Sequence, residues 1–128
     1  MTKRQAWFQA IRLRTLPLSV SGIIVGSGMA KVLHSVNNPE IDIYFWEIFS
    51  LALVTTICFQ ILSNLANDLG DSQKGTDNKD RVGPTRSVQS GLISQKEMKM
   101  AIYFCAILSL ISAAGLIYFS SQNLTPEL

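Results

Sequence analysis

Three apolar runs leave this chain few folds to choose from. They cover residues 16–33, 43–64 and 100–119. Each is about 18 to 22 residues long, the length a helix needs to cross roughly 30 Å of hydrocarbon. Until Lys31, only Pro17 and a scatter of small or hydroxyl residues interrupt the first. The runs predict an all-α, polytopic membrane protein with three transmembrane helices over about 16–33, 43–67 and 100–119.

Basic residues orient these spans. Lys3, Arg4, Arg12 and Arg14 precede the first, and Lys74, Lys79, Arg81, Arg86, Lys96 and Lys99 lie between the second and third. Only Lys31 lies on the opposite side. The positive-inside rule places the N-terminus and the 68–99 loop in the cytoplasm, and the expected location is the cytoplasmic (inner) membrane. Tyr44, Phe45 and Trp46 at one end of the second span, and Tyr118 and Phe119 at one end of the third, fit an interfacial aromatic belt that also holds Glu47. Residues 6–13 read as a short interfacial helix, with Trp7, Phe8, Ile11 and Leu13 among Gln and Arg. Thr15 is placed to cap the first span, and Pro17 is tolerated in its opening turn. A cleaved signal peptide fits poorly, because the apolar segment exceeds an h-region and Arg12 and Arg14 come too late.

Composition excludes other classes. Charged residues make up 16% of the chain, below the roughly one quarter usual in soluble domains, and the net charge is only +2. With no basic face interleaved with aromatics, nucleic acid is not an expected partner; the lipid bilayer is. Cys58 and Cys105 sit inside apolar runs and read as free buried thiols, with no zinc-type Cys/His spacing. Gly22 and Gly26 form a GxxxG in the first span, read as packing within a bundle.

The chemistry is concentrated in residues 60–91. Gln60, Asn64, Asn67 and Asp71 follow one another at spacings of four, three and four, which is one face of a helix. Polar groups on one face where a helix leaves the bilayer are costly unless they meet water, ions or each other. Asn64, Asn67, Asp68 and Asp71 fall at the C-terminal end of the second span, where the helix dipole disfavours carboxylates unless a cation compensates. Hard oxygen ligands suit Mg²⁺, which commonly bridges one or two carboxylates to substrate phosphates. Asp77 and Asp80 follow, and Lys74, Lys79, Arg81 and Arg86 bring positive charge and donors for phosphate oxygens. Gly75, Gly83 and Pro84 shape the connection. Acids, amides and bases gathered at a membrane surface fit a lipid diphosphate whose tail lies among the spans. The bland alternative, a solvated charged loop, does not account for the helical register of the four polar positions. No EF-hand series or P-loop is present.

Asn67-Asp68-Leu69-Gly70-Asp71 opens an NDxxD pattern, with Gly75 four beyond Asp71 and Asp77 two further. Asp80-Arg81-Val82-Gly83-Pro84-Thr85-Arg86 then reads DRxGPxR. On these motifs the chain resembles the UbiA-type intramembrane prenyltransferases. The Gly75/Asp77 variant is similar to the branch that prenylates 1,4-dihydroxy-2-naphthoate in menaquinone synthesis. Arg14-Thr15-Leu16-Pro17, the stretch QILSNLAND at 60–68 and residues 91–98 also look like that branch, so the resemblance covers nearly the whole chain. It implies part of a UbiA-type helical bundle that moves a polyprenyl chain from polyprenyl diphosphate to the naphthoate ring, losing diphosphate and CO₂ and giving demethylmenaquinone. By the same resemblance, Asn67, Asp68, Asp71 and Asp77 form the Mg²⁺ site. Lys74, Arg81 and Arg86 hold or neutralise the diphosphate, and Asp71, Asp68, Lys74 and Arg81 make up the catalytic set. Asn64 and Gln60 orient this shell or line the substrate cavity.

One departure is large. The family builds a bigger bundle with a second Asp-rich motif near a later helix, whereas here the only acid after Glu97 is Glu127. The expectation is the N-terminal portion of a longer enzyme, or a truncated product, inactive by itself. Two alternatives stand beside it. One is transfer to another acceptor, 4-hydroxybenzoate or haem, within the same superfamily. The other is a small non-catalytic membrane protein whose acidic loop binds cations or a partner.

Overall fold

A computed structural model describes residues 2–37, 43–74, 87–88 and 90–124. Four helices follow in order: α1 (Lys3–Ile11), α2 (Leu16–Asn37), α3 (Phe45–Lys74) and α4 (Gln95–Leu124). A 3₁₀ turn, Leu13–Thr15, joins α1 to α2. Among the described residues there is no strand, and three helical stretches are long and apolar enough to cross a membrane. The all-α reading and its three spans hold.

Local chemistry sets the helix boundaries. The Thr2 hydroxyl accepts from the Gln5 N–H at 3.3 Å, and the Thr2 N–H donates to Gln5 Oε1 at 2.8 Å, a reciprocal cap that starts α1. Arg12 ends it in the left-handed region, at φ 55 and ψ 59, with its N–H donating to the Gln9 carbonyl at 3.1 Å. Thr15 does not cap α2 as predicted. The 3₁₀ turn runs straight into the helix and leaves no extended residue to serve as a cap, and Thr15 Oγ1 instead donates back to the Arg12 carbonyl at 2.9 Å.

Both later helices overrun the predicted spans. α3 continues to Lys74, so Asp68, Asp71 and Lys74 stand on a helix and not in a 68–99 loop. Nothing in its amphipathic register stops it before Gly75, and Lys74 in the last turn complements the helix dipole. α4 starts at Gln95, set by a second capping box. The Glu97 N–H donates to Ser94 Oγ at 3.1 Å, and the Ser94 N–H donates to Glu97 Oε2 at 2.9 Å. Each of these helices has 30 residues. That is about 45 Å of helix against roughly 30 Å of hydrocarbon, so several turns project beyond the apolar layer.

α3 and α4 lie antiparallel. Tyr44 and Phe119 meet at one end with ring centroids 5.3 Å apart, and Leu65 and Met98 share a buried cluster near the other. Between them the seam includes small and hydroxyl side chains. Thr55 Oγ1 donates to Ser112 Oγ at 3.1 Å. Ser112 and Ser109 in turn donate to the carbonyls of Ser109 and Cys105, at 3.0 and 2.6 Å, so neither buried hydroxyl is left unsatisfied. Cys58 is buried, Cys105 is half-buried, and both are free thiols, as predicted. α2 leans on α3 through Ser19 Oγ, which donates to Gln60 Oε1 at 3.1 Å. At the aromatic end Lys31 Nζ rests over the rings of Phe45 and Trp46, 4.4 and 4.8 Å from their centroids. The GxxxG of α2 stays open, with nothing within 4 Å of a Cβ placed at Gly22 or Gly26.

Gly115 marks the closest approach along the α3–α4 seam. A Cβ there would lie 3.4 and 3.5 Å from the two terminal methyls of Leu51. Alanine therefore fits, and a larger side chain does not. Gly115→Ala should leave thermal stability in phospholipid nanodiscs within about 0.5 kcal/mol of the native chain. Gly115→Leu should cost about 1–3 kcal/mol. Melting followed by circular dichroism checks the order, and equal melting of the two variants would contradict this packing.

Candidate functional site

The acidic end of α3 is built from residues that share a side. On helical geometry Gln60, Asn64, Asn67, Asp68 and Asp71 fall within about 100° of arc. Burial divides them. Asn64 and Asp68 are 4% and 2% exposed, Gln60 and Asp71 are half-buried, and Asn67 is exposed. α3 places Gln60, Asn64, Asn67 and Asp71 on one side, with Asn64 and Asp68 turned into the protein and Asn67 at the outer rim.

Two of these polar groups join helices. Gln60 accepts from Ser19 on α2, and Asn64 Nδ2 donates to the Ile11 carbonyl at the end of α1 at 2.9 Å. The Ile11 carbonyl is one of the groups a helix C-terminus leaves without an intrahelical partner, and the Asn64 amide satisfies it. Asp68 and Asp71 follow one and two turns on, in the last turns of α3, where the dipole makes carboxylates unfavourable without positive charge nearby. Lys74, exposed, closes the helix. Asp77, Arg81 and Arg86 lie outside the described residues, as do Lys79 and Asp80.

Around this face lies a small core that sequence patterns did not reveal. Ala6 and Ala10 of α1, 0% and 3% exposed, sit with Leu65 of α3, Ile93 and Met98 of α4's approach and first turns. Alanine at both positions lets the backbone of α1 come close. Ser87, 1% exposed and next after Arg86 in the chain, donates its hydroxyl to the Ala6 carbonyl at 2.6 Å. Lys3 pairs with Glu97. The interfacial helix predicted over 6–13 is therefore a docked element, though Phe8 and Leu13 keep about half their surface exposed (48% and 49%). The capping patterns Thr2-x-x-Gln5 and Ser94-x-x-Glu97 were legible signals for where α1 and α4 begin. No short-range signal pointed to Ser87.

Among the described residues no group of three or more His, Cys, Asp or Glu side chains gathers, so the described acids of the site are Asp68 and Asp71. The donor set still fits a hard divalent cation, because Mg²⁺ is commonly held by one or two carboxylates with substrate phosphates and water completing the shell. Asn67 adds an exposed amide oxygen on the same side.

The chain belongs to the UbiA prenyltransferase family, whose model matches residues 15–124. It is 38% identical over 130 residues to 1,4-dihydroxy-2-naphthoate octaprenyltransferase of Escherichia coli (strain K12), covering 97% of this chain and 38% of that protein. The enzyme of the same name from Haemophilus influenzae is 38% identical over 123 residues, covering 96% of this chain and 38% of that protein. Its Mycobacterium tuberculosis namesake is 35% identical over 111 residues, 87% of this chain and 34% of that protein. The chain thus spans 38% of the length of the first two curated relatives. No solved structure matches it significantly. Family and apolar helices together make it an integral membrane protein of a prenyltransferase family.

Glu97 lies in the first turn of α4, ahead of the apolar stretch 100–119. Its hydrogen bond from Lys3 and then that from the Ser94 N–H hold its carboxyl below the ordinary glutamate range. A depressed carboxyl stabilises the fold above its unfolded value, about 4.3, and that contribution is lost as pH falls through the lower folded value. Both partners are substantially exposed, so the effect is screened by salt. In a Trp46→Phe background, Trp7 emission should shift to the red as pH drops from about 5 to 3. Glu97→Gln should already show the loosened signal at pH 7 and little further change; an identical titration in that variant would contradict the assignment.

Proposed function

We propose that the protein carrying this chain transfers a polyprenyl group from polyprenyl diphosphate to 1,4-dihydroxy-2-naphthoate at the inner membrane. The observation that carries this reading is the pair Asp68 and Asp71, one turn apart at the projecting end of α3 and followed by Lys74, in a chain whose relatives bear that activity in their names. The acidic end faces the cytoplasm, as the excess of Lys and Arg on that side argues.

Asn67, Asp68 and Asp71, with Asp77, would hold Mg²⁺, which when bound would supply positive charge against the diphosphate leaving group. Lys74, Arg81 and Arg86 neutralise the same oxygens from the protein side, Arg through paired N–H donors. The allylic C–O bond breaks with its electron pair leaving on diphosphate. The electron-rich ring carbon bearing the carboxylate forms the new C–C bond, and loss of CO₂ yields the reduced form of demethylmenaquinone. Gln60 and Asn64 orient this shell through their contacts with α2 and α1.

In the full-length protein reconstituted in phospholipid, octaprenyl diphosphate and 1,4-dihydroxy-2-naphthoate should give prenylated product and CO₂ only with Mg²⁺ present, and 4-hydroxybenzoate should remain unprenylated. Asp68→Asn and Asp71→Asn should each lower turnover by about 100-fold or more, since each removes a carboxylate that would hold the cation set against the leaving group. Normal turnover in Asp71→Asn would sink the site assignment. Prenylation of 4-hydroxybenzoate would move the acceptor instead.

A further inference from the structure

We infer that α1 is a positioning strap, a ruler that fixes the acidic end of α3 relative to the point where the following connection re-enters the bundle. The inference rests on the prenyl-transfer reading only for what is being positioned. The contacts themselves are independent of it.

Three kinds of contact converge on nine residues of helix. From α3, Asn64 donates to the Ile11 carbonyl at 2.9 Å. From the end of the connection, Ser87 donates to the Ala6 carbonyl at 2.6 Å. From the start of α4, Glu97 pairs with Lys3. Ala6 and Ala10 fill the space between, against Leu65, Ile93 and Met98, all 3% exposed or less. The two acceptor carbonyls are five residues apart, so α1 holds its two tethers about 7.5 Å apart along its axis. A helix does not stretch, and the spacing is therefore rigid.

What the tethers hold gives the strap its purpose. Asn64 lies one helical turn before Asp68 and two before Asp71, and Ser87 follows Arg86 directly in the chain. One tether thus holds the acidic turns of α3, and the other holds Ser87, the residue that follows Arg86 in the chain. Ser87 and Asn64 touch backbone, so each is a positioning residue acting through α1. Releasing one tether removes no charged group and lets Ser87 shift relative to the acidic turns of α3. That should weaken binding of a diphosphate more than it slows a step that follows binding.

The test measures binding, turnover and geometry in the full-length protein. Ser87→Ala removes one tether. Ala6→Leu lifts α1 from its seat by overfilling a fully buried position. Binding of inorganic diphosphate in the presence of Mg²⁺, by calorimetry, should weaken about 3- to 10-fold in Ser87→Ala, the factor one ordinary hydrogen bond represents. It should weaken further in Ala6→Leu. In prenyl transfer the KM for octaprenyl diphosphate should rise by the same factor with kcat changed less than about twofold. Spin labels at Gln9 and Gln95, in a Cys58→Ser, Cys105→Ser background, should report a narrow distance distribution that broadens in both variants. Unchanged diphosphate binding despite a broadened distribution would overturn the inference, since α1 would then be structural only. An unchanged distribution would overturn it as well. Weakened diphosphate binding in a protein that transfers no prenyl group would leave the strap standing and remove the prenyl-transfer reading.

Discussion

The antiparallel seam between α3 and α4 is the contact on which the rest depends. Inside a bilayer, burying apolar side chains against each other gains little over leaving them in lipid, so helices must be held by close packing and hydrogen bonds. The seam supplies both. Gly115 lets α4 approach Leu51, and the hydroxyls of Thr55, Ser109 and Ser112 are satisfied within it. Because each helix overruns the hydrocarbon, the same seam decides which polar turns meet outside it. The last turns of α3, with Asp68 and Asp71, come to lie beside the first turns of α4, with Glu97 and Met98.

That shared end creates the seat for α1. A short amphipathic helix on its own is marginal in water and at a membrane surface has many orientations. Here it gains a fixed one from two buried alanines, two side-chain hydrogen bonds to its carbonyls and an ion pair. Asn64 shows how one residue serves both ends of this arrangement. A buried amide in an apolar surrounding is costly unless paired, and its partner is the unsatisfied carbonyl that ends α1. The acidic face is thus anchored on the side facing the protein while Asn67 and Lys74 remain open to the outside.

Membership of the UbiA prenyltransferase family gives this geometry its chemical meaning. Two carboxylates in the last turns of a helix run against its dipole unless positive charge compensates them. Two carboxylates are what Mg²⁺ takes from a protein when substrate phosphates complete the shell. The chain spans 38% of its first two curated relatives, and its carboxylates stand at the end where α1, α3 and α4 meet.

Much of this was written in the sequence, because hydropathy, charge bias and helical period are local properties. The three runs, the free thiols and the shared face of Gln60, Asn64 and Asp71 required no knowledge of neighbours. Helix ends were less legible: α3 carries on to Lys74 where a loop was expected from 68, since a polar but helix-competent sequence does not announce its conformation. The capping role given to Thr15 failed because the 3₁₀ turn left it no extended backbone. The long-range partners of the polar groups were not legible. Sequence determined that this chain is a set of membrane helices ending in an acid-rich face. Only tertiary structure decided that Asp68 turns inward while Asn67 stays out, through the packing around α3, and that Asn64 is spent on α1 and Ser87 returns to Ala6, because those two bonds reach partners 53 and 81 residues away.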